Sequence, residues 1–350
     1  DRHGRKPVLA FSIFGTALGY ALFAIGISTA NIPLLFAARA LDGITGGNLA
    51  VAQAAIGDVS THENRAKNFG MLGAAFGLGF IIGPYLGGRL SSPDTSFYGL
   101  FHTPSWFGAT TPFWFATILA LANCASILTM FPETLKEKFH GGRIKISRAV
   151  SNVVGGFKSD RLRVVLMAGF LFSAGFTFFT TFFGVYLRNN FNFSSAKIGD
   201  YFAIVGMFIA VSQAVVVGRV AKKLADWKVL RFSMFGLGTM MLVYFVIPTS
   251  SSSYLYLVIP FFTLFNGLTM ANMSSLISRS AEMGQQGQAM GIYSSVSSLA
   301  QVPASILVGY ITSDITSSQP LFVSSACIIL GGAVFFILFK PKYVMENAHA

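Results

Sequence analysis

Ten runs of 17 to 25 mostly apolar residues, at 8–29, 33–57, 67–90, 111–131, 164–187, 198–217, 232–248, 255–277, 288–311 and 320–339, alternate with charged or Gly-, Ser- and Pro-rich breaks. A helix rises about 1.5 Å per residue, so roughly 20 apolar residues cross the ~30 Å hydrocarbon core of a bilayer. Inside that core every backbone polar group must be satisfied within its own segment, which leaves helices as the fold for runs of this kind. The 350 residues are 53% hydrophobic and only 11% charged, whereas about a quarter of a soluble domain is charged. The runs therefore predict an all-α, multi-pass membrane protein and exclude a soluble enzyme.

A net charge of +12 would point a soluble chain towards nucleic acid, but in a membrane protein Lys and Arg gather in cytoplasmic loops. With residues 1–7 placed inside the cell, 21 of the 25 Lys and Arg fall on the inner side, three (Arg89, Arg188, Lys197) on the outer, and one within a span. That bias accounts for the charge without nucleic acid. It puts the basic loops in the cytoplasm and the chain in a plasma or inner cell membrane. Cys124 and Cys327 lie inside apolar runs, and the five His, at 3, 62, 102, 140 and 349, are scattered over loops and ends. Neither set suits a metal site or a nucleophile with its base. No GxxxxGK[ST] loop is present to bring ATP to the chain.

The polar, basic stretch 132–163 separates four spans from six. It reads either as a linker between two bundles or as an amphipathic helix lying on the membrane surface. Gly70-Met71-Leu72 running to Gly88 matches Gly291-Ile292-Tyr293 running to Gly309 at an offset of 221. Asp42-Gly43 with Asn48 matches Asn266-Gly267 with Asn272 at 224. Near-constant offsets between spans of like orientation suggest two parallel halves. With the second half beginning near 164, the 221-residue offset starts the first about 57 positions before residue 1, room for two more helices. The expectation is a six-plus-six protein of which ten spans are present. Residues 1–131 belong to the first bundle, 132–163 to a cytoplasmic loop, 164–340 to the second bundle and 341–350 to a cytoplasmic tail.

Asp1-Arg2-His3-Gly4-Arg5-Lys6-Pro7 resembles the signature loop between the second and third helices of the major facilitator superfamily, and Arg39 to Asp42-Gly43 resembles its fourth-helix Arg motif. Gly70, Gly79, Gly83-Pro84 and Gly87-Gly88 keep the spacing of the fifth-helix motif of drug:proton antiporters. With Phe131-Pro132-Glu133-Thr134-Leu135 closing the sixth helix, the first 135 residues are similar to the tetracycline-efflux branch. The resemblance implies a major facilitator fold, alternating access, and a proton gradient in place of any cofactor. It also implies that Asp1, Arg2, Gly4, Arg5 and Lys6, with Asp58 closing the fourth helix, form an inner gate, and that Gly70 to Gly88 lie at the seam between the halves.

Elementary physics gives these residues roles of their own. Glycines four apart put a flat strip on one helix face, and Pro84 frees a backbone carbonyl that a neighbour or a cavity must satisfy. Arg39 and Asp42, three apart, share a helix face. Asp42 falls about 14 Å into its span, near mid-membrane. A charge there costs about 2.5–3.5 kcal/mol and normally marks a pathway. Desolvation raises the proton affinity of a carboxyl so placed and a neighbouring guanidinium lowers it, so a small movement could load or release a proton. The same spacing also serves a static ion pair.

Asn48, Gln53, Asn123, Gln213, Asn266, Asn272 and Gln301 are candidate cavity groups, with Phe176, Phe178, Phe179, Phe182 and Phe183 as an aromatic wall or simply as core. An apolar cavity with few polar groups suits a small amphipathic organic compound. Spans 8–29 and 232–248 hold no acid and 198–217 no His, where tetracycline exporters carry them, which argues against tetracycline as the cargo. The expectation is a monomeric, proton-coupled exporter. The alternatives are an uncoupled or importing facilitator, or a transport-inactive receptor or assembly protein.

Overall fold

The computed structural model describes residues 4–46, 48–60, 65–97, 101–135, 154–160, 162–280, 286–311 and 318–341. Helices lie on all ten apolar runs: α1 (Arg5–Ser28), α2 (Ile32–Thr45), α3 (Asn48–Val59), α4 (Arg65–Leu90), α5 (Thr111–Met130) and α6 (Arg163–Phe191) come first. They are followed by α7 (Ser195–Val211), α8 (Gly218–Lys223), α9 (Asp226–Val246), α10 (Ser253–Ser280), α11 (Gln286–Ile311) and α12 (Gln319–Leu338). Among the described residues, eight of these rods are long and apolar enough to cross a membrane, α7 by running on through a π-helical turn at Ser212–Val217. Two-residue strands, β1 (Ser96–Phe97) and β2 (Phe101–His102), form an antiparallel pair in the loop after α4.

Local chemistry sets many of the helix ends. Asn31 caps α2 by accepting the Leu34 amide at 3.1 Å, with a proline in the first turn. Pro132 follows the last turn of α5 and cannot continue it. Asn192 closes α6 at φ 54°, a left-handed position that Asn tolerates.

Two of the sequence expectations need correction. The run 33–57 is not one helix: α2 ends at Thr45 with Gly46 as its C-cap residue, where the backbone entropy cost of helix is greatest, and α3 begins at Asn48. The run expected from 232 begins six residues earlier, at Asp226, because its amphipathic first turn reads as loop when only apolar residues are counted. The helix ends also settle the repeat. Residues 5 and 32 begin helices in the first half, and 226 and 253 begin helices in the second. Both pairs differ by 221, so the 224-residue match of Asp42 with Asn266 is one helical turn out of register, and Asp42 repeats as Thr263.

The contacts divide the chain into two units, 1–143 with 195–203, and 144–194 with 204–350. The stretch 195–203, assigned to the second bundle by sequence, packs with the first unit. Bilayer tails are as apolar as leucine, so helices associate through close packing and interhelical hydrogen bonds. In the first unit α1 lies between α5 and α2. Ala10, Ile13 and Cys124 are buried together, with Ala120 and Ile127 against them, and the Ser12 hydroxyl donates to the Thr45 carbonyl. In the second unit α12 packs on α6 and α9, α9 on α10, and α6 on α11. Phe178, Phe179, Phe182 and Phe183 are its core: the Phe179 ring lies 4.5 Å from Phe183 and 4.9 Å from Phe262. Ser324 donates to the Gly175 carbonyl at 2.6 Å and Ser325 to that of Gly238 at 2.7 Å.

Candidate functional site

Asp42 stands ten residues from the start of α2, about 15 Å along the helix axis. Gly19 of α1 faces it, and a Cβ on that glycine would lie 3.3 Å from the Cβ of Asp42. Arg39 Nη1 is 3.9 Å from Asp42 Oδ2, an ion pair too long for a hydrogen bond. The Arg39 guanidinium instead covers the Phe23 ring at 4.4 Å, a cation–π contact strengthened where water is scarce. The Asp42 side chain keeps 30% of its surface accessible and Arg39 keeps 55%, so neither is locked in helix packing. At the repeat-related positions stand Thr263, fully buried, and Pro260. This charge pair has no counterpart in the second half.

At the opposite end of α1, Arg5 Nε donates to Asp58 Oδ2 at 3.0 Å, and Thr134 Oγ1 donates to the same oxygen at 3.2 Å. Glu133 completes the cluster: its carboxylate accepts the backbone amides of Arg5 at 2.7 Å, Lys6 at 3.2 Å and Leu135 at 3.0 Å. It thus caps the first turn of α1 from the end of α5, whose own sequence neighbours gave no hint of that role. Desolvation pushes the Glu133 carboxyl up, but the amides of Arg5, Leu135, Lys6 and Thr134 outweigh it and hold the group below its ordinary value. Gly4, at φ 94°, is the N-cap residue, and a Cβ there would collide with Glu133 Oε2. A left-handed backbone and absence of a side chain are both required of it. Asp1 and Arg2 lie outside the described residues.

Among the described glycines of α4, Gly88 alone makes close contact. An added Cβ on Gly79, Gly83 or Gly87 meets no atom within 4 Å, whereas one on Gly88 collides with the Ser195 carbonyl and the backbone of Gly199. A Cβ on Gly199 would in turn lie 2.6 Å from the Pro84 carbonyl. One residue on, Arg89 Nη2 reaches both oxygens of Asp200 at 2.8 and 2.9 Å, while Nη1 donates to the Ser96 carbonyl and the guanidinium covers the Tyr85 ring at 5.3 Å. Hydrogen bonds between charged groups are stronger than neutral ones. In the sequence Arg89 is only one of three basic residues on the outer side, and nothing there joins it to Asp200. Gly70 lies on the same helix, towards its first turn.

The remaining polar candidates divide by burial. Asn266 and Asn272 are inside the second unit, Asn272 donating to the Leu268 carbonyl of its own helix at 2.7 Å. Gln53, Asn123, Gln213 and Gln301 are exposed and Asn48 is half-buried. Gln213 sits in the π-helical turn, and Gln301 Nε2 reaches Ser297 Oγ at 3.3 Å, itself 2.8 Å from Ser173 Oγ. That chain of hydroxyl and amide joins α6 to α11, a link that seriate Ser and Gln residues did not announce.

The Major Facilitator Superfamily profile matches residues 1–305. Among curated relatives, the class H tetracycline resistance protein of Pasteurella multocida is 28% identical over 318 residues, covering 89% of this chain and 74% of its own length. Among solved structures, the human organic anion transporter MFSD10 is 22% identical, with a TM-score of 0.66 over 96% of this chain and 78% of that one. The peptide transporter POT in complex with sulfate is 14% identical, with a TM-score of 0.73 over 99% and 82%.

Proposed function

Because the chain belongs to the Major Facilitator Superfamily, we propose that this integral membrane transporter of small substrates is a proton-coupled antiporter that exports an amphipathic organic compound by alternating access. The observation that carries the reading is Asp42. It is a half-accessible carboxylate deep in an apolar span, with a guanidinium beside it that is held by Phe23 rather than by Asp42 itself. A carboxylate so placed can take a proton without breaking a hydrogen bond to its partner, and Arg39 can swing between the aromatic face and the acid as the local hydration changes. Similarity to tetracycline resistance proteins supports drug export as the direction. The basic ends lie in the cytoplasm on this reading, and the proton gradient is the driving force, with no cofactor and no nucleic acid partner.

The test uses the protein in proteoliposomes with an imposed pH gradient and a panel of amphipathic probes, ethidium and tetracycline among them. Wild-type protein moves a probe uphill and stops when the gradient is collapsed. Asp42→Asn loses the uphill step while retaining downhill exchange. Uphill export by Asp42→Asn at the wild-type rate refutes the coupling role, and indifference of the wild type to the gradient refutes antiport.

A further inference from the structure

Arg5 is the first residue of α1 and Asp58 the last but one of α3. Adding the 221-residue repeat to each leads to Asp226, the first residue of α9, and Arg279, the last but one of α10. These two are also paired. Arg279 Nε lies 3.2 Å from Asp226 Oδ2, against 3.0 Å between Arg5 Nε and Asp58 Oδ2. In both places the same carboxylate oxygen also accepts a hydroxyl: Thr134 at 3.2 Å on Asp58, and Ser275 at 2.5 Å on Asp226. Position and pairing geometry repeat with the signs of the charges exchanged, while the supporting hydroxyl comes from a different place in each half, after α5 in the first and from α10 itself in the second.

The exchange has a physical consequence. A helix carries partial positive charge at its N-terminus and partial negative charge at its C-terminus, and each favourably placed side-chain charge in the end turns shifts an equilibrium by roughly two- to five-fold. In the first half Arg5 stands at an N-terminus and Asp58 near a C-terminus, so both helix ends oppose the charges. In the second half Asp226 stands at an N-terminus and Arg279 near a C-terminus, so both ends favour them. Burial does not separate the two pairs: Asp226 is 10% exposed and its partner Arg279 62%, against 27% for Asp58 and 14% for Arg5, so the contrast rests on the helix ends.

We propose that Asp226 and Arg279 are the sign-inverted counterpart of the Arg5–Asp58 pair and the firmer of the two clamps. They are a positioning pair that keeps the adjoining ends of α9 and α10 together through the transport cycle, leaving Arg5–Asp58 as the clamp that yields more readily. The clamp itself follows from the geometry of the second unit; its bearing on transport rests on the function proposed above.

The experiment is a double-mutant cycle on the purified protein, read by thermal unfolding and by Vmax and KM for an ethidium probe in proteoliposomes. Asp226→Arg and Arg279→Asp are each made alone and together, with Asp226→Asn and Arg279→Gln as milder forms should a reversal prevent folding. Each single change is expected to lower the folding equilibrium by more than tenfold, since it strands a charge beside a like charge or a buried carboxylate without a partner. The double reversal loses far less than the two single losses combined but stays roughly ten- to several-hundred-fold below wild type, because each of the two charges passes from favouring its helix end to opposing it. Vmax follows the same order, while KM for the probe stays unchanged. Single losses that simply add in the double mutant overturn the pair. A double reversal as stable as wild type overturns the claim of firmness, and a changed KM with Vmax intact overturns the positioning role. If wild-type protein moves no probe, the transport reading fails while the stability cycle still decides the clamp.

Discussion

Replacing Glu133 isolates a single capping interaction that spans 128 residues of sequence. The four leading amides of a helix lack partners within it, and the N-cap residue of α1 is a glycine with no side chain to offer. Glu133 supplies acceptors to the Arg5 and Lys6 amides at 2.7 and 3.2 Å and places a negative charge at the positive end of α1. Loss of a cap costs about 0.5–2 kcal/mol, and loss of the favourable charge a further ~0.3–1 kcal/mol, reduced here because the carboxylate is solvent-exposed. Glu133→Ala is therefore expected to destabilise by about 1–2 kcal/mol, and Glu133→Gln, which keeps an oxygen acceptor, by about 0.3–1 kcal/mol. The Glu133 carboxyl is held below its ordinary value in the folded protein. A depressed folded-state value gives stability that is fully present above the unfolded-state value, about 4.3, and is lost as pH falls through the folded one. Thermal unfolding of wild type and Glu133→Gln should thus differ at pH 7 and converge below about pH 4. Hydrogen exchange at the Arg5 and Lys6 amides should accelerate in Glu133→Ala at neutral pH. A wild-type advantage as large at pH 3 as at pH 7, or unchanged exchange at those two amides, refutes the cap.

Neighbouring glycines of α4 provide an internal control for the seam. Gly87→Ala meets no atom within 4 Å and should be neutral or slightly stabilising, whereas Gly88→Ala meets backbone and should cost about 1–3 kcal/mol in thermal unfolding. Gly83→Ala should also leave stability intact; loss of probe transport by that stable variant would show that the open part of the strip closes elsewhere in the cycle. In the Arg89–Asp200 pair, Arg89 keeps 13% of its side-chain surface and Asp200 37%. Asp200→Asn should leave the more buried partner under-paired and lower stability by about 1–3 kcal/mol, with Asp200→Glu retaining part of it; equal stability of all three proteins would refute a structural role for the pair.

Much of the fold was legible because membrane helices advertise themselves by length. Every apolar run is occupied by helix, and an offset of 221 taken from a few glycines also relates the starts of α1 and α2 to those of α9 and α10. What could not be read is what depends on contacts between distant segments. Gly46 ends α2, yet glycines at 79 and 83 leave α4 unbroken, because backbone permissiveness states only that a helix can stop. The spacing of Arg39 and Asp42 puts them on one face, but the attraction of Phe23 for the guanidinium comes from another helix. Glu133 was visible as part of a motif closing α5, and only the fold brings the start of α1 within its reach. Arg89 and Asp200, 111 residues apart, follow the same rule.

Asp226 and Arg279 escaped for a different reason. Comparing the halves residue by residue rewards identity, and in the second half Gly218 to Lys223 keeps only a faint echo of the Asp1 to Lys6 loop. An ion pair, however, constrains the product of two charges and not the sign of either, so exchanging the partners preserves the Coulomb attraction while erasing the sequence match. What breaks the symmetry between the two arrangements is the field of the helix ends, which favours acid at the start and base at the finish. In a protein built from repeats, buried clamps are therefore better sought at positions that repeat with opposite charge than at positions that repeat with the same residue. Where two such clamps differ in sign, the orientation relative to the helix ends states which of them is the easier to open.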